Sequence, residues 1–283
     1  MLHLLSKKTA VALLLALGFA NLAAIPAAQA SEPAGCTLAP TDGTVVRSAG
    51  GRSYRLHVPQ GLIGTKVPLL LSLHGMFSDG YAQEIAFGWS EYADAHNFIV
   101  AYPQGLGSQV SGMWEPWYSP APDIAYLRAV VDDIAASWCV DAKRVHVEGH
   151  SGGATMTQRV ACDAADKFAA AVSYDGPSAT RGPGAVACSP SRPIAVGLVE
   201  GEYDGNMLYF PQNISEWLGY NSCAPSPAKA TDAYGKTDTY SCAAGTQVMT
   251  RIMKYTSHNA PIGAQAEDYR NRVWNFLQAH PLP

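Results

Sequence analysis

The chain has 283 residues, 48% of them apolar and 15% charged, with 19 Lys and Arg against 23 Asp and Glu for a formal charge of −4 at pH 7. This mild acidity, with no basic stripe, excludes the electrostatic footprint of a nucleic-acid-binding protein. Length and apolar content suit one large domain with a sizeable core.

In chain order, Lys7 and Lys8 precede an apolar stretch from Thr9 to Ala20, and Ala28-Gln29-Ala30 follows. A positive start, a short apolar run and a small-x-small site predict a cleaved signal peptide over residues 1–30, leaving a single exported domain over 31–283. The apolar run falls short of the ~20 residues that cross a bilayer, so no membrane span is expected. Further along, strands are predicted at Tyr54–Val58, Pro68–Leu73, Phe98–Tyr102, Arg144–Glu148, Ala169–Tyr174, Ile194–Val199 and Gln247–Met253. Helices are predicted at Ala82–His96, Asp123–Trp138, Gly152–Ala165, Ile214–Tyr220 and Gly263–Ala279. Strands that are nearly all apolar, such as Leu69-Leu70-Leu71-Ser72-Leu73, read as buried on both faces. Their alternation with helices predicts an α/β architecture, a doubly wound and mostly parallel sheet with helices on both faces. Ser222–Thr246 breaks the rhythm with Pro, Ser and two cysteines, and reads as a disulfide-pinned excursion rather than a second domain.

Six cysteines, at 36, 139, 162, 188, 223 and 242, all follow the leader. An even count in an exported chain argues for disulfides. Cys223–Cys242 would close the polar excursion and Cys162–Cys188 would tie a helix end to a strand start, which leaves Cys36–Cys139. No pair has the spacing of a zinc knuckle, so no metal and no other cofactor is expected.

The strongest chemical signal is Gly149-His150-Ser151-Gly152-Gly153, a G-x-S-x-G pattern between a predicted strand and a predicted helix. A turn this tight strains the serine and exposes its hydroxyl at the sheet's carboxyl edge, with helix N–H groups beside any developing oxyanion. Serine alone is a weak nucleophile, so it needs a base and the base needs an orienter. On such a scaffold these follow in the order acid, then histidine. After residue 200 only His258 and His280 remain, and His258, between the last strand and last helix, is the better placed base. For the acid, the strand Ile194–Val199 runs into Glu200-Gly201-Glu202-Tyr203-Asp204-Gly205. Asp204 lies in the turn best able to reach the histidine loop; Glu202, Glu200 and Asp175 are the alternatives.

A second oxyanion donor should follow an early strand. Leu73-His74-Gly75-Met76 supplies it, which assigns the Met76 N–H beside that of Gly152. His74 reads as a structural histidine bonded to loop backbone, and His150 as packing or pocket wall. Met113-Trp114-Glu115-Pro116-Trp117-Tyr118 carries a heavy aromatic load for a loop, making Trp114 and Trp117 candidates, with His150, for gripping a sugar or phenolic group.

Together with Tyr102-Pro103-Gln104-Gly105, Asp123-Ile124-Ala125-Tyr126-Leu127, Cys139-Val140-Asp141, Arg144-Val145, Cys188-Ser189-Pro190-Ser191-Arg192-Pro193 and Gly201-x-x-Asp204, these motifs resemble a known family. It is the secreted esterase family of feruloyl esterases, acetylxylan esterases and polyhydroxybutyrate-depolymerase-like proteins, within the α/β-hydrolase superfamily. The resemblance runs from about Arg52 to the C-terminus and implies a Ser151–His258–Asp204 triad. Two departures stand out. Glu200 occupies the place of a usual histidine before Gly201, and Ser257-His258-Asn259 lacks a glycine-rich approach. The resemblance implies a serine esterase acting on feruloyl or acetyl esters of polysaccharides or on related esters; a monomer is expected. The alternatives are an extracellular polyester depolymerase, an acyltransferase on the same scaffold, or a non-catalytic binding module.

Overall fold

The structure, a computed structural model, describes residues 39–41, 43–62, 64–105, 112–117, 121–181 and 185–283. All of them belong to the unit Pro33–Pro283. The leader and Cys36, and with Cys36 the pairing to Cys139, lie outside the described residues. Among the described residues no helix is long and apolar enough to cross a membrane.

The strands are β1 (Thr44–Ala49), β2 (Arg52–His57), β3 (Val67–Leu73), β4 (Ile99–Pro103), β5 (Val140–His150), β6 (Ala170–Tyr174), β7 (Ala195–Gly201), β8 (Ala228–Thr231), β9 (Gly235–Ser241) and β10 (Gln247–Met253). The helices are α1 (Gly80–Phe87), α2 (Trp89–His96), α3 (Pro122–Ser137), α4 (Gly152–Asp163), α5 (Phe210–Tyr220) and α6 (Gly263–Gln278). All ten strands form one sheet in the order β1-β2-β4-β3-β5-β6-β7-β10-β9-β8. Strands β4, β3, β5, β6, β7 and β10 run parallel, while β1, β2, β9 and β8 pair antiparallel at the two ends.

The parallel centre follows from composition. Every residue of β3, β4, β6 and β7 is buried, as strands covered on both faces require. Alternate residues feed two cores. Leu69, Leu71 and Leu73 of β3 meet Leu127, Val130, Met156 and Trp217 of α3, α4 and α5. Leu70 meets Phe87, Trp89, Tyr269 and Trp274 of α1, α2 and α6. Each such leucine contributes about 1.5–3 kcal/mol of burial.

Three elements differ from expectation. The helix predicted over Ala82–His96 is two helices, because Gly88 takes φ 60° and caps α1 through its N–H to Glu84. The break turns Trp89 into the core. β1 joins the sheet at its edge through a Gly50-Gly51 turn in which both residues have positive φ, the geometry of tight hairpins. The excursion Ser222–Thr246 supplies β8 and β9, which extend the sheet beyond β10. Arg251 of β10, buried, grips this edge at 3.0 Å from Asp232 and 2.7 Å from Asp268 of α6.

Cys162 is bonded to Cys188 and Cys223 to Cys242, across 26 and 19 residues. Loops of that size imply about 3 kcal/mol each in the chain-entropy account. Reductant should therefore lower the melting temperature by on the order of 10 °C, and activity should persist up to the new transition. Scanning fluorimetry and activity with and without reductant check this; activity lost well below the transition would contradict it.

Candidate active site

Ser151 stands between β5 and α4 with φ 56° and ψ −117°, a strained backbone that few residues other than glycine adopt. Its N–H donates to the Tyr174 carbonyl at 2.9 Å and its own carbonyl accepts from Thr155 N–H at 3.1 Å. The elbow is pressed against its surroundings, which is why it is built of glycine. A Cβ on Gly149 would lie 2.5 Å from the Gly153 carbonyl, and one on Gly152 would lie 2.5 Å from Met76 Cγ and 3.1 Å from Met76 N. Met76 and Gly152, the two expected oxyanion donors, are thus neighbours beside Ser151.

His258 lies in the loop between β10 and α6. Its Nε2 is 2.8 Å from Ser151 Oγ and its Nδ1 is 2.6 Å from Asp204 Oδ2. Turn chemistry orients the acid: Asp204 caps the short 3-10 turn Gly205–Leu208, its Oδ1 accepting from Asn206 N–H at 2.7 Å, which leaves Oδ2 for the histidine. The acid and histidine loops are joined by Tyr203 N–H donating to the Thr256 carbonyl at 2.8 Å. Tyr174 Oη donates to the Asn259 carbonyl at 2.9 Å, pinning the histidine loop. The Asp204 side chain is 1% exposed and that of His258 44%, so His258 faces solvent while Asp204 is sealed behind it.

The competing acids go elsewhere. Glu202 is exposed and accepts from Tyr255 N–H at 3.1 Å. Glu200 and Asp175 are buried behind Asp204, and burial pushes their carboxyls up to about 9 and about 8. Ligand atoms of Asp175, Glu200 and Asp204 lie within 4.8 Å of one another, as do those of His150, Asp175 and His258. Both His258 nitrogens and both Asp204 oxygens are already engaged in the contacts above, so these sets offer a cation few free donors.

A cavity of about 240 Å³ opens beside Ser151, lined by Met76, Ala82, Ala86, Phe87, His150 and His258 among others. The His150 ring lies 5.0 Å from that of His258 and 5.5 Å from those of Phe87 and Tyr174. Burial pushes its imidazole down to about 4, so it is neutral beside His258. Trp114 lies away from this cavity. It is 2% exposed, packs on the His74 ring at 5.0 Å, and donates through Nε1 to the His74 carbonyl at 2.8 Å. Trp117 is half-buried and is not among the described residues lining the cavity. His74 is tied to loop backbone, with Nδ1 2.8 Å from the Gly75 carbonyl and Nε2 accepting from Gly105 N–H at 3.1 Å.

Sequence reasoning missed the support beneath the elbow. Glu148, fully buried on β5, accepts from Ser72 Oγ, from Trp89 Nε1 at 3.0 Å and from Tyr269 Oη at 3.0 Å. Burial pushes its carboxyl up to about 7. Asn206 was also missed, although Asp-Gly-Asn after a strand is a capping signature.

No family model matches the chain. It is 33% identical over 190 residues to poly(3-hydroxyalkanoate) depolymerase C of Paucimonas lemoignei, covering 62% of this chain and 45% of that one. It is 24% identical over 252 residues to feruloyl esterase B of Piromyces equi, covering 82% and 46%. The chain thus spans less than half the length of these curated relatives. An acetyl xylan esterase structure from Aspergillus awamori superposes with a TM-score of 0.62 at 17% identity, covering 80% of this chain and 93% of that one. The chain has the α/β-hydrolase fold, and its curated relatives carry the names feruloyl esterase, acetylxylan esterase and poly(3-hydroxyalkanoate) depolymerase.

Proposed function

We propose that the protein is an exported serine esterase that cleaves carboxylic esters through an acyl-enzyme on Ser151. The observation that carries this reading is the unbroken chain Asp204–His258–Ser151, with contacts of 2.6 and 2.8 Å, at a strained elbow. His258 Nε2 takes the serine proton as Oγ attacks the carbonyl, and Asp204 holds the imidazole in the required tautomer and balances the imidazolium. Met76 and Gly152 N–H groups receive the oxyanion. The alcohol leaves with the proton from His258, and water then releases the acid by the same steps in reverse. The disulfides support an oxidising destination.

The apolar cavity walls at Ala82, Ala86, Phe87 and Met76 favour an acyl group with an apolar or phenolic body, in keeping with the names of the relatives. A polymeric polyester is a second reading. Phe77, Tyr203, Leu208, Tyr255 and Ile262 are all exposed on loops at the sheet edge that carries Ser151, an apolar rim suited to a water-poor surface. Assaying p-nitrophenyl acetate, methyl ferulate and a polyhydroxybutyrate film side by side tests both. Turnover of the soluble esters is expected, and film clearing would establish the second reading. A folded protein that cleaves none of the three would overturn the proposal.

A further inference from the structure

Behind the acid lies a group that the mechanism does not use. Asp175 follows β6 and is 0% exposed, with φ 56°, a conformation uncommon outside glycine. It joins three parts of the site. Its Oδ1 accepts from Gly201 N–H at the end of β7 at 2.7 Å. Its carbonyl accepts from Asn206 Nδ2 at 2.9 Å, the residue whose N–H holds Asp204. Its N–H donates to the Val199 carbonyl at 3.0 Å. The remaining oxygen, Oδ2, is buried with no hydrogen-bond partner.

The groups facing Asp175 explain what that oxygen requires. They are Tyr174 from β6, Glu200 from β7, Asp204 from the loop after it, and His150 and His258 from β5 and the last loop. Tyr174 spends its only proton on the Asn259 carbonyl. Three buried carboxyls within 4.8 Å cannot all carry charge, because like charges in a low-dielectric site hold one another's protons on. Asp204 faces the histidine and the Asn206 N–H, the partners that a carboxylate of the triad needs. An orphaned buried acceptor is costly, whereas a protonated Oδ2 becomes a donor aimed at a carboxylate. Ligand atoms of Asp175 and Asp204 lie within 4.8 Å of each other, so the carboxylate of Asp204 is within the reach of such a donor.

We propose that Asp175 is a positioning residue, a neutral carboxylic acid whose Oδ2–H donates to the Asp204 carboxylate and braces the acid of the triad from behind. The proposal rests on the esterase reading above, since it gives Asp204 its role. The brace fixes the Asp204 rotamer and spares the buried site a second charge. It also has a pH signature. The Asp175 carboxyl is pushed up to about 8 by burial, against about 3.9 in an unfolded chain. Between those values the folded protein holds a proton that the unfolded chain has lost, so this group makes stability fall as pH rises across the window. Above it the proton leaves, the bond to Asp204 is lost, and activity declines.

The test compares Asp175→Asn and Asp175→Ala with the wild type. Asparagine keeps the acceptor for Gly201 N–H and an N–H donor toward Asp204, but does not titrate. Alanine loses both. Asp175→Ala should lower kcat by about 10–100-fold through misplacement of the acid and base, with KM little changed, and Asp175→Asn should recover most of that loss. The wild-type decline in rate above about pH 8 should be absent in Asp175→Asn. The melting temperature of Asp175→Asn relative to wild type should climb steadily from pH 5 to pH 8.

Equal losses in the two variants, or an unmoved pH profile and melting difference, would overturn the proposal. So would a rise in wild-type melting temperature with added calcium that Asp175→Asn abolishes, because the cluster would then be a cation site. If neither variant folds, infrared spectra of wild-type protein carrying carbon-13 aspartate decide. A protonated-carboxyl carbonyl band at pH 7 that fades through about pH 8 is expected, and its absence contradicts the proposal. The infrared and melting measurements need no turnover, so they separate failure of this proposal from failure of the esterase reading.

Discussion

Replacing Ser151 with alanine is expected to lower kcat by about 10⁶-fold on every ester that the wild type turns over, with the melting temperature nearly unchanged. The size follows from removal of the only group that forms the covalent bond. What survives is catalysis by the oxyanion donors and by binding, on the order of 10³–10⁴ over water. Folding should survive because the Ser151 backbone, not its hydroxyl, makes the contacts with Tyr174 and Thr155, and the Cβ of alanine sits where that of serine already sits at φ 56°. Steady-state rates and melts of the purified variant check both parts. A residual rate within 100-fold of wild type would mean that another group is the nucleophile.

His258→Ala should cost about as much as the serine change, and the double variant little more, because nucleophile and base act as a unit. Asp204→Asn should cost about 10³–10⁴ in kcat, since the amide imposes the wrong imidazole tautomer while keeping the shape. Glu202→Gln should have little effect, because that side chain is exposed and, among the described residues, bonds the exposed Tyr255 backbone N–H. The same kinetics rank the acids directly. A Glu202 variant more damaged than the Asp204 variant would reassign the acid.

The parts of the molecule legible in the sequence are those specified locally. The strand-Gly-x-Ser-x-Gly-helix run fixes the elbow, and the largely apolar β3, β4, β6 and β7 declare a covered parallel sheet. The Asp204–His258 contact spans 54 residues, yet chain order and position after a strand point to His258 and narrow the acid to Asp204, Glu202, Glu200 and Asp175. Edge elements were harder to read. Ala228–Thr231 and Gly235–Ser241 are polar and largely solvated, so no apolar alternation marks them, although Gly50-Gly51 was an available signal for β1. Gly88 inside an apolar helical pattern masked a break.

Burial direction was the other blind spot. Trp114 and Trp117 read as a binding surface, but Trp114 turns inward because its indole N–H finds the His74 carbonyl. The Glu148 network draws on β3, α2 and α6, and the Asp175 brace on β6, β7 and the acid loop. Contacts assembled from so many distant segments have no local sequence signature.

The central claim, that Ser151 is the nucleophile of an acyl-enzyme, is tested most directly by treating the folded protein with a fluorophosphonate and mapping the adduct by peptide mass spectrometry. One phosphonyl group on Ser151, formed in step with loss of esterase activity and absent from Ser151→Ala and strongly slowed in His258→Ala, is the expected result. An adduct on a different residue, or full inactivation with Ser151 unmodified, would contradict the account.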